Sequence, residues 1–160
     1  MKFLSNGDLS NQGLLKLILL LTLLFLTFLH LTNTLIYIEK AGLSYTSVVE
    51  YYLGSEGEFK NPVSYRGLLE GTHFHLFSMA MVLLMLNHLA AFTGFPHRMK
   101  LLLIILSFGS GFMDIASGWL IRFSSPVFAY MKIFAFIVFQ LSFLVLLILS
   151  FFSLRVYDKK

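Results

Sequence analysis

The sequence predicts an all-α membrane protein in which four transmembrane helices form an antiparallel bundle with one long periplasmic loop. The chain has 160 residues, of which 58% are hydrophobic and only 12% are charged, whereas an ordinary soluble domain is about a quarter charged. Four runs with at most one charge are each long enough for a helix to cross the hydrocarbon core, which takes about 20 apolar residues. These continuous runs differ from the alternating pattern of membrane β-barrel strands.

The four predicted spans are 17–38, 71–95, 101–121 and 127–154, and they place residues 1–160 in a single integral membrane domain. The first span is too long for the apolar region of a signal peptide and has no small-x-small cleavage site after it, so we expect a permanent helix. Ser125 and Pro126 suit the start of the fourth span, as N-cap and first helical residue.

Basic residues near the span ends predict that both termini are cytoplasmic, in the inner membrane of a bacterium. Lys and Arg concentrate on the cytoplasmic side, and the terminal side of the predicted bundle carries Lys2, Lys16, Arg98, Lys100, Arg155, Lys159 and Lys160. The loop 39–69 is then periplasmic. Its segment 44–52 predicts a short helix at the membrane interface, where tyrosine is favoured. No basic stripe interleaved with aromatic residues occurs outside the spans, so nucleic acid is not an expected partner.

Ionisable side chains of three spans fall at one depth in the outer half of the predicted bundle. This layer consists of His30, His73, His75 and Asp114, with Glu70 at its outer edge. At 1.5 Å per residue, the four side chains lie roughly 6–12 Å from the periplasmic ends of their spans. An ionisable group inside a span is costly and is a functional hypothesis by default.

Two kinds of cofactor fit such a layer. Two imidazoles on facing helices are the axial ligands of a b-type haem, so His30 with His73 or His75 predicts a haem b site, with Gly109 and Gly111 making room for the porphyrin. The alternative is a transition-metal ion, because imidazole and carboxylate together suit iron, zinc, manganese or copper(II). Its candidate ligands are His30, His73, His75, Asp114 and Glu70. The chain has no cysteine, which excludes thiolate sites and disulfides.

The rotation of the second span decides which histidine belongs to the site. Side chains two residues apart on a helix point about 160° away from each other, so His73 and His75 cannot both face one ion from a regular helix. A near-heptad line through Glu70, His73, Phe77, Leu84 and His88 predicts the inward seam of this span. On the third span, small residues around Asp114 predict a face that packs into the bundle.

A purely structural role is the alternative for the polar layer, because polar side chains in membranes often only hold helices together. Lys132 lies at a depth similar to that of Asp114 and is its candidate ion-pair partner. We expect His88 and Gln140 to form interhelical hydrogen bonds, and Trp119 to anchor its helix at the interface. The chain is then a structural or assembly subunit rather than a cofactor protein. The sequence predicts no catalytic residue in either case.

The stretch Gly67–Met79 (GLLEGTHFHLFSM), followed by Asn87-His88-Leu89, resembles a family of small four-span bacterial inner-membrane proteins. The segments 114–120 (DIASGWL) and 125–130 (SPVFAY) fit the same resemblance, which implies the four-span fold and carries no activity. At the fold level the bundle resembles membrane b-type cytochromes, which implies haem. The di-haem cytochromes place two histidines on each of two helices, and only the second span does so here.

Taken together, these features predict a cofactor-binding membrane protein associated with electron transfer. Its expected partners, besides the lipid bilayer, are a quinone or a periplasmic or membrane electron-transfer protein reached through the loop 39–69. The sequence is compatible with an oligomer and does not identify an enzymatic activity.

Overall fold

The computed structural model describes residues 9–156, with side chains from residue 13 to residue 152. The described elements are α1 (Leu9–Lys40), α2 (Tyr45–Leu53), α3 (Tyr65–Ala91), α4 (His97–Phe123), a 3-10 turn (Pro126–Phe128) and α5 (Ala129–Val156). Four of these helices, α1, α3, α4 and α5, are long and apolar enough to cross a membrane. The predicted all-α fold with four membrane-spanning helices is therefore confirmed.

The helices extend beyond most of the predicted span ends, and at α3 a polar cap, not the limit of the apolar run, sets where the helix begins. α3 begins at Tyr65, where the Ser64 Oγ accepts a hydrogen bond from the Gly67 amide at 3.0 Å. Ser125 caps the turn before α5 as predicted, and its Oγ accepts from the Val127 amide at 3.4 Å. The predicted orientation rests partly on Lys2, Lys159 and Lys160, which lie outside the described residues.

The fourth spanning helix, α5, lies at the centre of the bundle. α1, α3 and α4 all pack against it, and α3 also packs along α4. The predicted small-residue face of α4 is confirmed as a packing face, because it is buried at Ser107, Ser110, Gly111, Ser117 and Gly118. Small side chains let helices approach closely in a membrane. By contrast, the described part of α1 packs mainly on α5.

The buried apolar side chains form two core clusters at different depths. The larger one joins α1, α3 and α5 towards the end of the bundle that holds the α3–α4 turn, and consists of Leu23, Leu26, Leu83, Leu86, Ala90, Phe139, Phe143, Leu146 and Leu147. The smaller one lies at the α2 end and consists of Ala41, Val48, Tyr52, Leu68, Ile121 and Ala129. The candidate site lies between them.

The helix α2 confirms the short helix predicted in the loop, while its place at the membrane interface stays a prediction. Ser44 and Ser47 form a reciprocal capping box at its start. The segment after α2 is held by two hydrogen bonds at Val63, whose amide donates to the Tyr52 carbonyl at 3.1 Å and whose carbonyl accepts from Arg122 Nε at 2.9 Å. These bonds fix α2 over the end of the bundle.

Candidate ligand-binding cavity

A cavity of about 340 Å³ lies between the two core clusters, in the half of the bundle near α2. Its wall comes from α1, α3, α4 and α5, and Tyr51 and Tyr52 of α2 close it towards the loop. Small-molecule sites are typically concave and mostly apolar, with a few placed polar groups, and measure roughly 300–1,000 Å³. The cavity has these properties.

An ion pair between α4 and α5 forms one polar part of the wall. Lys132 Nζ lies 2.8 Å from Asp114 Oδ2, and the two side chains are only 8% and 19% exposed. Lys132 Nζ also donates to the main-chain carbonyl of Asp114 at 2.9 Å. The ion pair that the sequence offered as the structural reading of Asp114 is therefore present in the structure.

Two tyrosine rings surround the lysine of this pair. Lys132 Nζ lies 5.8 Å from the Tyr37 ring centroid and 6.0 Å from that of Tyr52, distances at which a cation is attracted to an aromatic face. Tyr37 is stacked on Phe136 with ring centroids 3.5 Å apart. Burial, with a smaller contribution from the Asp114 charge, raises the pKa of the Tyr52 phenol far above its ordinary value, so this phenol stays neutral at physiological pH.

The deeper part of the wall carries an imidazole and an amide. The His30 ring is stacked on Phe143 of α5, with centroids 4.9 Å apart and planes 13° from parallel. Gln140 lies one helical turn from Phe143 on the same helix and also lines the cavity. His30 Nδ1 and both polar atoms of Gln140 are buried and have no hydrogen-bond partner. The expectation that Gln140 forms an interhelical hydrogen bond is therefore wrong.

Further polar atoms of the wall are buried in the same way. Tyr37 Oη and Asp114 Oδ1 are also inaccessible and without a hydrogen-bond partner. Buried polar groups in native proteins almost always have a partner, and a group without one requires an explanation. Here these atoms belong to residues around one cavity, on α1, α4 and α5.

The structure divides the five predicted ligands into two sets. His30, His75 and Asp114 line the cavity, whereas His73 and Glu70 do not. His73 and His75 are both exposed, and only His75 lies on the cavity wall. Glu70 is exposed and accepts a hydrogen bond from Arg66 Nε at 2.7 Å. These two residues therefore lie apart from the cavity that the other three share.

The predicted inward seam of the second span is wrong. All five of its residues, Glu70, His73, Phe77, Leu84 and His88, are exposed. α3 is rotated so that Leu68, Leu83 and Leu86 are buried instead, because these apolar side chains fill the core clusters. The side chain of His88 packs edge-on against Phe92 of its own chain segment. The interhelical bond at this level comes from its neighbour Asn87, which donates to Ser107 Oγ at 3.2 Å.

The residues on the cavity wall fit a metal ion poorly. No group of three or more His, Asp or Glu side chains that could hold an ion occurs between residues 13 and 152. Asp114 already pairs with Lys132. The two glycines expected to make room for a porphyrin do not: Gly111 lies against Met79 and Phe139, and Gly109 is exposed on another face of α4.

Tyr37 is the polar cavity residue that sequence reasoning missed. Tyr37 was not singled out, although it lies seven residues after His30 and so falls on the same helix face. The expected interface anchor Trp119 donates from Nε1 to Thr72 Oγ1 at 2.7 Å, and so joins α4 to α3. A search for polar residues on the faces that carry His30 and Lys132 would have included Tyr37.

Comparison with known proteins gives one family. A family described as a transmembrane helical domain matches residues 42–160, which contain α2 to α5. No curated protein and no solved structure gives a significant match. The family match agrees with the membrane protein family expected from the sequence, and the likeness to b-type cytochromes stays a prediction. Because the match covers well over half of the chain, the protein belongs to this family of transmembrane helical domains.

Proposed function

We propose that this integral membrane protein binds a quinone-type redox molecule in the cavity and takes part in electron transfer within the membrane. The observation that carries the proposal is the set of buried polar atoms without partners around one mostly apolar space. A buried polar group costs free energy unless a hydrogen bond compensates it. A ligand that combines hydrogen-bonding atoms with an apolar body would satisfy these atoms and fill the space.

A quinone ring matches this wall in both respects. It is flat and apolar on its faces, and the wall offers the aromatic rings of Phe136, Phe139 and Phe143. Its two carbonyl oxygens accept hydrogen bonds, and the amide of Gln140 and the hydroxyl of Tyr37 are donors without a protein partner. The residues of the chain therefore bind and orient the ring while excluding water from it.

Haem b is the second candidate, and one observation favours it. His30 and His75 both line the cavity, from α1 and α3, and two imidazoles are the ligand set of a b-type haem. Bound there, haem would carry one electron at its iron. An isolated metal ion is less well supported, because it takes three or four protein ligands and, among the His, Asp and Glu side chains on the cavity wall, only these two imidazoles are not already paired.

The test uses the purified protein in lipid nanodiscs and a benzoquinone with a decyl tail as the probe. We expect saturable binding, and a loss of affinity of about tenfold in Gln140→Leu, the cost of about one buried hydrogen bond. His75→Leu should weaken binding as well, because His75 lies on the wall. His73→Leu is the matched control on the same helix and should bind like the unchanged protein.

An absorption spectrum before and after dithionite decides between the candidates. A Soret band that is lost in both His30→Leu and His75→Leu, but kept in His97→Leu, would favour haem b over the quinone. A colourless protein that neither retains nor binds a quinone would overturn both. The polar layer would then be structural, as the Lys132–Asp114 pair alone would suggest.

A further inference from the structure

The two helices that border the cavity most openly are α1 and α3. Both contribute to its wall, yet among the described residues α1 packs mainly on α5, whereas α3 packs on α4 and α5. Below the cavity, leucines of both helices belong to the larger core cluster. Beside the cavity, α1 and α3 are therefore separated by a gap, which we call the α1/α3 gap. It is bordered by Leu29, Asn33 and Ile36 of α1 and by Gly71, Phe74 and His75 of α3.

The exposure of the wall residues shows that the cavity opens on this side. The residues that α5 contributes are nearly all buried, with Phe136, Phe139 and Phe143 each 5–6% exposed. In contrast, the apolar residues at the edges of the gap are open to the surroundings: Leu29 is 47%, Ile36 54% and Phe74 69% exposed. α5 is thus the back of the cavity, and the gap is its front.

The α3 edge of the gap also lacks a side chain at the point where one would narrow it. A Cβ atom added at Gly71 would meet nothing within 4 Å, although Gly71 belongs to the cavity wall. Neighbouring residues such as Phe74 have large side chains, so the open space is local to this position. The front of the cavity is therefore wide next to Gly71.

These observations indicate how a ligand is seated. We infer that it carries an apolar tail, that the tail lies in the α1/α3 gap with its end in the acyl chains of the bilayer, and that the head faces His30, Gln140 and the Lys132–Asp114 pair. The inference rests on the proposed function and specifies its ligand class as a membrane-soluble, tailed molecule. The exposed edge residues Leu29, Ile36 and Phe74 are apolar and belong to membrane-spanning helices, whereas the unpartnered polar atoms lie behind them. A head with a tail matches this order, and a compact polar molecule does not.

The test compares two probes, a benzoquinone with a decyl tail and the same ring without the tail, on protein in nanodiscs. Gly71→Trp places a large ring in the gap, and Ile36→Trp does so from the opposite edge. In each variant we expect the tailed probe to bind about tenfold more weakly and the tailless ring to stay within about twofold of the unchanged protein. An equilibrium binding affinity depends on the bound complex and not on the route by which the probe enters. Only the probe whose tail occupies the gap in that complex therefore loses affinity. Gly94→Trp, in the α3–α4 turn where an added Cβ also meets nothing within 4 Å, is the matched control.

The outcomes separate this inference from the function on which it rests. Unchanged protein that binds neither probe would defeat the proposed function and this inference with it. Protein that binds both probes, but in which Gly71→Trp and Ile36→Trp weaken them equally or not at all, would defeat the inference alone. A retained thermal transition in each variant shows that it is folded.

Discussion

Lys132 is the most buried charged side chain among the described residues, and its surroundings explain how it is tolerated. Asp114 neutralises it at 2.8 Å and the Asp114 carbonyl takes a second proton of the ammonium. Moving charges out of water costs several kcal/mol per ion, which the attraction within a well-placed pair offsets. Removing either member would therefore leave the other charge buried without a partner and destabilise the folded protein.

Lys132→Met tests this dependence. The substitution keeps an apolar chain of similar length but leaves Asp114 buried without its partner, so we expect a loss of about 3–5 kcal/mol in the free energy of unfolding. The double variant Lys132→Met with Asp114→Asn removes both charges and should recover most of this loss. Thermal unfolding in detergent measures both. A double variant as unstable as the single one would show that the charges do not stabilise each other.

Gly118 is the point at which α2 rests on α4. A Cβ atom added there would lie 3.0 Å from Tyr52 Oη and 3.1 Å from Tyr52 Cε1. We therefore expect Gly118→Ala to lower the melting temperature, because the tightly packed Tyr52 ring has to move. Gly109→Ala is the control on the same helix: nothing lies within 4 Å of its added Cβ, and alanine should stabilise the helix by up to about 1 kcal/mol. Equal changes in melting temperature in Gly118→Ala and Gly109→Ala would contradict the close contact between Gly118 and Tyr52.

At the level of single residues, the sequence predicted how deep a side chain lies along its span, but not which side of the helix it points to. The distance along each span placed Asp114 and Lys132 at one level, and the structure pairs them. The choice between His73 and His75 depended on the rotation of α3. That rotation is set by which leucines enter the core, Leu83 and Leu86 among them, and an almost uniformly apolar helix carries little periodic signal to reveal it.

At the level of elements, α2 is the helix whose stability depends most on local chemistry. It has nine residues, and isolated helices shorter than about 12 residues are marginal in water. Its stability comes instead from the capping box at Ser44 and Ser47 and from the hydrogen bonds of Val63, which follows it. The segment was predicted as helical from its apolar residues and tyrosines, and the prediction did not include the capping role of its serines.

Ser44→Ala should loosen this helix. The variant removes the oxygen that accepts from the Ser47 amide at 3.1 Å, and losing an N-cap side chain costs about 0.5–2 kcal/mol. We expect faster hydrogen exchange at the amides of α2, with little change in the spanning helices. Thr46→Ala, an exposed position on the same helix, is the control. Unchanged exchange rates in Ser44→Ala would show that packing alone holds α2.

The ends of the long helices were harder to predict than their presence. Hydropathy locates a span, but the helix continues as long as its backbone groups find partners. α3 ends at Ala91, four residues before the predicted limit, and Lys100 Nζ donates to the Ala91 and Thr93 carbonyls at its end, at 2.7 and 2.6 Å. These two bonds join positions that become neighbours only when α4 folds back, so no local sequence pattern predicts them.

At the level of the whole molecule, the fold follows from composition, and the predicted orientation can be tested by labelling. The bundle places the segment after α2 and the α3–α4 turn at opposite ends of α3. We expect Gly57→Cys to react with a membrane-impermeant maleimide added from the periplasmic side, and Gly94→Cys to react only after the membrane is opened. The chain has no cysteine of its own, so each label reports one site. The reverse pattern would invert the predicted orientation.

The way in which α1 is attached has a mechanical consequence. α1 has 32 residues, of which the uncharged run 17–38 measures about 33 Å at 1.5 Å per residue, slightly more than a hydrocarbon core of roughly 30 Å. A hydrophobic stretch longer than the local hydrocarbon thickness adjusts by tilting, and α1 is the least buried of the four spanning helices, so its tilt disturbs the fewest contacts. We therefore expect a thinner bilayer to tilt α1 and to change the width of the α1/α3 gap, so that lipid composition alters the affinity of the cavity for its ligand.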